Sequence, residues 1–202
     1  MKKTNILLLA FSMILANCFA QNSRVEHTRS LDRINVVVLS LSGNTSIQGT
    51  MENELKTRSL LITKGGVWGF KYPESRPEFK TVEYVLHDTL FVSTPARFDP
   101  HVIGIDTYSE SIENTIQLPA DKKIIITRAD QLELENDWKY INVCNANQLK
   151  LTIHKASIGT LSCRVSKSLK INGQKSSSEY VMNGIGPNIY SLQANQVSLN
   201  IR

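Results

Sequence analysis

Two carboxylates one residue apart, Glu133 and Glu135, alternate with apolar residues in Leu132-Glu133-Leu134-Glu135. On a strand they would share a face and stand about 6 to 7 Å apart, a separation that suits the paired acids of a glycosidase. Nothing beside them distinguishes an acid from a base, and alternating charges on a wet strand face serve solubility. A sugar-cleaving site would need a cleft that sets Glu133 against Glu110 or Asp137. The histidines carry less: His154 lies opposite in parity to Leu149, Leu151 and Ile153 and is expected to face water, while His27, His87 and His101 stand apart from one another. No G-x-S-x-G, H-E-x-x-H, calcium loop or glycine-rich phosphate cradle occurs. The sequence assigns no catalytic residue, no metal ligand and no cofactor.

Recognition chemistry has more to offer. Trp68, Phe70 and Tyr72 alternate inside a stretch from Gly65 to Lys80 that is rich in glycine and proline, an excursion from the regular scaffold of the kind that carries binding. An exposed set would be a platform for sugar rings; a buried set would plug one end of the core. Ser40, Ser42, Thr45, Ser46 and Thr50, with Thr152, Ser157, Thr160, Ser162 and Ser166, suit polar ladders on a solvated β face. Such ladders fit a glycan or another protein and fit plain solvation equally.

The chain begins with Lys2 and Lys3, an apolar run from Ile6 to Ala16 and then small residues, the layout of a secretory signal over 1–20. Cleavage after Ala20 leaves Gln21 at the terminus; cleavage before Cys18 would leave a thiol for lipidation, since Leu15-Ala16-Asn17-Cys18 resembles a bacterial lipobox. Only lipidation at Cys18 would tie the mature chain to a membrane. Taking Lys2 and Lys3 from the 23 basic residues leaves 21 against 18 acidic ones, a net charge of +3. The basic residues are dispersed without interleaved aromatics, so nucleic acid is not expected as a partner. Cys144 and Cys163 remain after cleavage; export permits a disulfide, but their parities differ, and the pairing stays open.

A polar lead over 21–33 precedes a single domain over 34–202. Apolar pairs two residues apart recur as Ile116/Leu118, Ile124/Ile126, Leu132/Leu134, Ile141/Val143 and Leu149/Leu151, at steps of 8, 8, 9 and 8 residues. Leu161/Cys163, Leu169/Ile171 and Val197/Leu199/Ile201 continue the pattern. Short strands at this spacing predict an all-β fold, either a short-strand parallel β-helix-like coil or a β-sandwich. Asn172-Gly173 and Asn183-Gly184 provide corners where a positive backbone dihedral costs little.

Asn35 to Lys56 resembles the opening of the bacterial adhesin-type β-strand-repeat domains related to the auto-transporter adhesin head called GIN, frequent in exported Bacteroidetes proteins. The residues behind this are Leu39 to Gly43, Ile47-Gln48-Gly49 and Glu52 to Lys56, followed by Ile116-Gln117-Leu118-Pro119 leading into Ile124-Ile125-Ile126. Asp130-Gln131, Asn147-Gln148 and Lys167-Ser168 stand where that family usually has Gly-Asp corners. The resemblance implies a coiled, largely parallel β fold and an envelope or surface location, and it brings no catalytic residues with it.

The sequence thus predicts an exported, non-enzymatic binding module of the periplasm or cell surface, with a glycan or an envelope protein as its partner class. The alternative is a structural or envelope-stress accessory protein without external ligand, and a carbohydrate-active enzyme ranks behind both.

Overall fold

The computed structural model describes residues 22–64, 67–71, 81–94, 102–106 and 109–202. Cys18 with the rest of the export segment, Tyr72 and His101 lie outside the described residues.

The polar lead is itself a strand, β1 (Asn22–Ser30), followed by β2 (Val36–Ser40), β3 (Asn44–Thr50), β4 (Glu54–Lys64) and β5 (Val67–Lys71). Next come β6 (Val82–Leu86), β7 (Thr89–Ser93), β8 (Val102–Asp106) and β9 (Ser109–Pro119). The long strands are β10 (Lys123–Glu135), β11 (Tyr140–Ile153), β12 (Ile158–Ile171) and β15 (Asn188–Ile201), with the short β13 (Gln174–Ser176) and β14 (Glu179–Asn183) between the last two. The fold is all-β: thirteen of these strands form one mixed sheet, and β5 pairs with β8 separately.

The sheet forks at β10. Its first half pairs in parallel with β2, Ile124 opposite Val37, and its second half with β3, Leu134 opposite Ile47. One arm continues through β7 to the β6 hairpin; the other runs through β9 and β4 to β1. On the far side of β10 the parallel strands β11, β15 and β12 pass through both arms unbroken.

A single apolar cluster fills the space inside both arms. Along β10 the buried residues are Ile124, Ile126, Ala129, Leu132 and Leu134. The step from residue to residue is two on each arm but three on either side of Ala129. A step of two keeps side chains on one face of a strand; a step of three marks a bulge, where the strand bends and the same face stays inward. Ala129 aligns with Ala146, Ala146 with Ala194, and Ala194 with Val165, so small residues line the inside of the bend where two arms of Leu and Ile converge. Each fully buried Leu or Ile in these ladders is worth about 1.5–3 kcal/mol relative to exposure.

This arrangement corrects two expectations. Asp130-Gln131, Asn147-Gln148 and Lys167-Ser168 are not corners between short strands; they lie within or beside the bulged middles of strands of 13 and 14 residues. The strand order also departs from the chain order, because β15 sits between β11 and β12. A coil stacked successively along the chain does not describe it, and a sandwich-like reading of two arms around one core fits at least as well. Asn172 (φ 50°) and Gly173 (φ 81°) do make the left-handed two-residue turn expected of them, joining β12 to β13. Gly184 serves differently: a Cβ there would stand 2.1 Å from the Ile158 carbonyl oxygen, so the residue is required by close backbone approach.

Period two also misleads at β6. Leu90 and Val92 on β7 are buried, but Val82, Tyr84 and Leu86 face outward and Glu83 faces inward. The Tyr84 ring stacks on Phe91 at 4.6 Å between centroids, which shields part of that apolar surface.

Candidate functional site

The outward side chains of the β3 arm form two parallel ladders, because in-register strands place equivalent residues side by side. One ladder is Glu113, Asn44, Gln131, Gln148, Gln196 and Ser168, taken in order across β9, β3, β10, β11, β15 and β12. The other, two residues further along each strand, is Thr115, Ser46, Glu133, Lys150, Ser198 and Lys170. Between them runs a trough of about 660 Å³ whose floor is the backbone at Leu132, Leu149 and Val197. Six strands at their usual spacing make it about 24 Å long.

The lining is amide, hydroxyl and charge. Among the described residues, no aromatic side chain lines it. Charge is graded along it: Glu113 and Glu133 lie toward the β9 end, Lys150 and Lys170 toward the β12 end. Glu133 and Lys150 form an ion pair across β10 and β11, and this carboxylate partner raises the lysine's pKa. Beyond β9 the second ladder continues through Arg58 to Glu26, where a smaller hollow of about 290 Å³ includes His27 and Lys56. Beside the trough, on the outside of the bend, Ser166 donates to Asn195 at 2.6 Å and the Asn195 amide donates to Asn147 at 3.1 Å. Asn147 and Asn195 thus stack side by side on neighbouring strands β11 and β15. Gln131, Gln148 and Gln196 line the trough, and among the described residues their amides take part in no such side-chain hydrogen bond.

The fork that shapes this arm is held by a buried polar knot. The Asn114 amide donates to the Ser42 carbonyl at 2.7 Å and accepts from the Ser59 hydroxyl at 2.7 Å. The Gly43 N–H donates to Asp130 at 2.9 Å and the Ser42 N–H to Thr94 at 2.8 Å. Three of these contacts tie the break between β2 and β3 to its neighbours, at Asn114 of β9, Asp130 of β10 and Thr94 just after β7, while Ser59 of β4 holds the Asn114 amide in place; polar groups so satisfied fix one arrangement.

The residues that sequence chemistry singled out are dispersed. Glu133 faces the trough but is spoken for by Lys150, and Glu135 is exposed. His154 is exposed, as its parity predicts; its Nδ1 lies 2.9 Å from Asp137, yet the Ser157 hydroxyl donates to the His154 carbonyl instead of the ring. Cys144 is exposed and Cys163 buried, and both are free; burial pushes the Cys163 thiol up to about 11. The Trp68 and Phe70 backbones belong to β5, opposite Ile105 and Ile103 of β8, and their side chains, like Tyr72 and Cys18, fall outside what the structure describes. Among the described residues, no group of three or more His, Cys, Asp or Glu could hold a metal.

Sequence reasoning missed the glutamine ladder although its signal was present. Gln131-Leu132-Glu133-Leu134, Gln148-Leu149-Lys150-Leu151 and Gln196-Val197-Ser198-Leu199 repeat one four-residue pattern, in which a glutamine stands immediately before each apolar pair.

No family model matches the chain, and no curated protein does. Among solved structures, it is similar to a putative cell adhesion protein from Clostridium sporogenes at 14% identity, covering 90% of this chain and 99% of that one with a TM-score of 0.49. It is also similar to a putative adhesin from Bacteroides fragilis (12% identity, 89% and 96% covered, TM-score 0.33). A putative adhesin from Parabacteroides merdae gives 8% identity over 89% and 96%, with a TM-score of 0.23.

Proposed function

We propose that the chain is a non-enzymatic structural module of the bacterial cell envelope, exported by its first twenty residues. The observation that carries this reading is the state of its acids. Glu133, the trough carboxylate best placed for hydrolysis, is neutralised by Lys150, and Glu83, which is buried, faces Arg29 and His27 rather than a cleft. Glu26, Glu52 and Glu179 likewise answer to neighbouring cations on the exposed faces. A general acid and a base need different environments at one opening, whereas these carboxylates are held by cations, across strands at Glu133, Glu83 and Glu179 and locally at Glu26 and Glu52.

A second reading, surface contact in the manner of an adhesin, is favoured by one feature, the trough with its uncommitted glutamine amides. A deletion strain of the native host separates the two. Restoration of envelope integrity by wild type and by Gln148→Ala/Gln196→Ala alike is expected for the structural role. Restoration by wild type alone would transfer the function to the trough. Indifference of the envelope to the deletion would overturn the structural reading.

A further inference from the structure

We propose that the trough on the β3 arm binds a linear polysaccharide bearing carboxylates, laid across the strands with its acidic groups toward Lys170. This rests on the surface-contact reading and names its ligand class.

Three features select the ligand. The first is shape: a channel about 24 Å long and open above suits an extended polymer rather than a compact metabolite, which would seek an enclosed apolar pocket. The second is hydrogen-bonding type. Gln131, Gln148 and Gln196 present one donor and one acceptor group at every strand, and Ser46 and Ser198 opposite them present hydroxyls. Sugar hydroxyls are also donor and acceptor at once, so a chain of them can pair along both walls without a fixed pattern. An extended peptide is a poorer match. It gains affinity by adding to a free strand edge and by seating alternate side chains in pockets, whereas the trough floor is backbone already engaged within the sheet.

The third feature is charge. Glu133 and Lys150 cancel at the centre of the trough. Lys170, at the β12 end, lies across from another cation, Lys175 of β13, in an antiparallel pair. Like charges opposite one another in a ladder are unfavourable unless an anion joins them. A carboxylate on the polymer would relieve that pairing. Polar walls give contact along the whole chain, and the lysine pair gives it direction.

Titration calorimetry of the mature full chain with alginate oligosaccharides, and with neutral cello-oligosaccharides of equal length, tests this. Both should bind, alginate about tenfold tighter at low salt, with the difference collapsing as salt screens it. Lys170→Gln should remove most of the alginate preference and leave the neutral ligand unchanged. Gln148→Ala/Gln196→Ala should weaken both about tenfold or more while the circular dichroism spectrum and the Tm stay in place. Alginate binding that ignores the glutamine substitutions would overturn the proposal by reducing it to nonspecific charge attraction, and binding of neither sugar would overturn it outright. In that case a failure of the same glutamine variant to restore the deletion strain would keep the contact reading and reject only the polysaccharide.

Discussion

Glu83 on β6 and His27 on β1 meet at 3.3 Å, although their strands are the two ends of one hydrogen-bonded path, β6-β7-β2-β10-β3-β9-β4-β1. Arg29 adds its guanidinium at 3.5 Å. The two arms of the sheet are therefore clasped at their edges by side chains. The Glu83 side chain is 93% buried and, among the described residues, its Oε1 has no partner, while His27 and Arg29 are half exposed.

That asymmetry predicts unequal costs. Glu83→Gln leaves His27 and Arg29 solvated and should cost under about 1 kcal/mol. His27→Ala/Arg29→Ala leaves a buried carboxylate unanswered and should cost about 1–3 kcal/mol. Urea denaturation of the two variants compares them; equal losses would mean that the clasp contributes only packing.

The Trp138 backbone N–H donates to the Tyr190 hydroxyl at 3.1 Å inside the core. Tyr190→Phe keeps the ring and orphans that donor, so about 1–3 kcal/mol of stability should be lost. A neutral result in denaturant titration would show that a water replaces the hydroxyl.

Ala146 sits between Ala129 and Ala194 at the bend. Ala146→Leu inserts a branched side chain where the two arms leave room for a methyl group, and should destabilise by about 1–3 kcal/mol. A substitution at exposed Thr160 to leucine is the control and should change little.

Burial raises the Cys163 thiol from its ordinary 9.0 to about 11 and raises the Tyr190 hydroxyl as well. The unfolded chain loses the thiol proton first, so the unfolded state binds fewer protons between these values and stability falls as pH rises. The contribution of Cys163 is fully present below pH 9 and lost through about pH 11. Cys163→Ala should flatten the thiol's share of the alkaline slope in denaturation curves taken across that window. At pH 8 a thiol reagent should modify Cys144 and spare Cys163 until the protein unfolds.

Much of the sheet was legible as local period. Ile124/Ile126, Leu132/Leu134, Ile141/Val143 and Leu149/Leu151 are buried on the face their alternation gives them. Cys144 points outward for the same reason. What lay hidden is non-local. The inward residues Leu192, Ala194 and Val197 would fit beside any parallel neighbour, so no local signal inserts β15 between β11 and β12. Strand β1 is invisible because its residues are mostly polar, Val25 being its one apolar side chain; it is recruited by the edge of β4. The trough depends on both: its Gln-apolar-x-apolar pattern is written in three strands, but it becomes a ladder only once β15 lies beside β11.

The most direct test is the chain length of alginate oligosaccharides incubated with the purified mature protein, measured by reducing-end release. The structure predicts an unchanged length distribution, because Glu133 is held by Lys150 and Glu135, two residues along the same face, is exposed, so that the two are not set apart as acid and base. Progressive shortening that disappears in Glu133→Gln would contradict a non-enzymatic module and make the trough an active site.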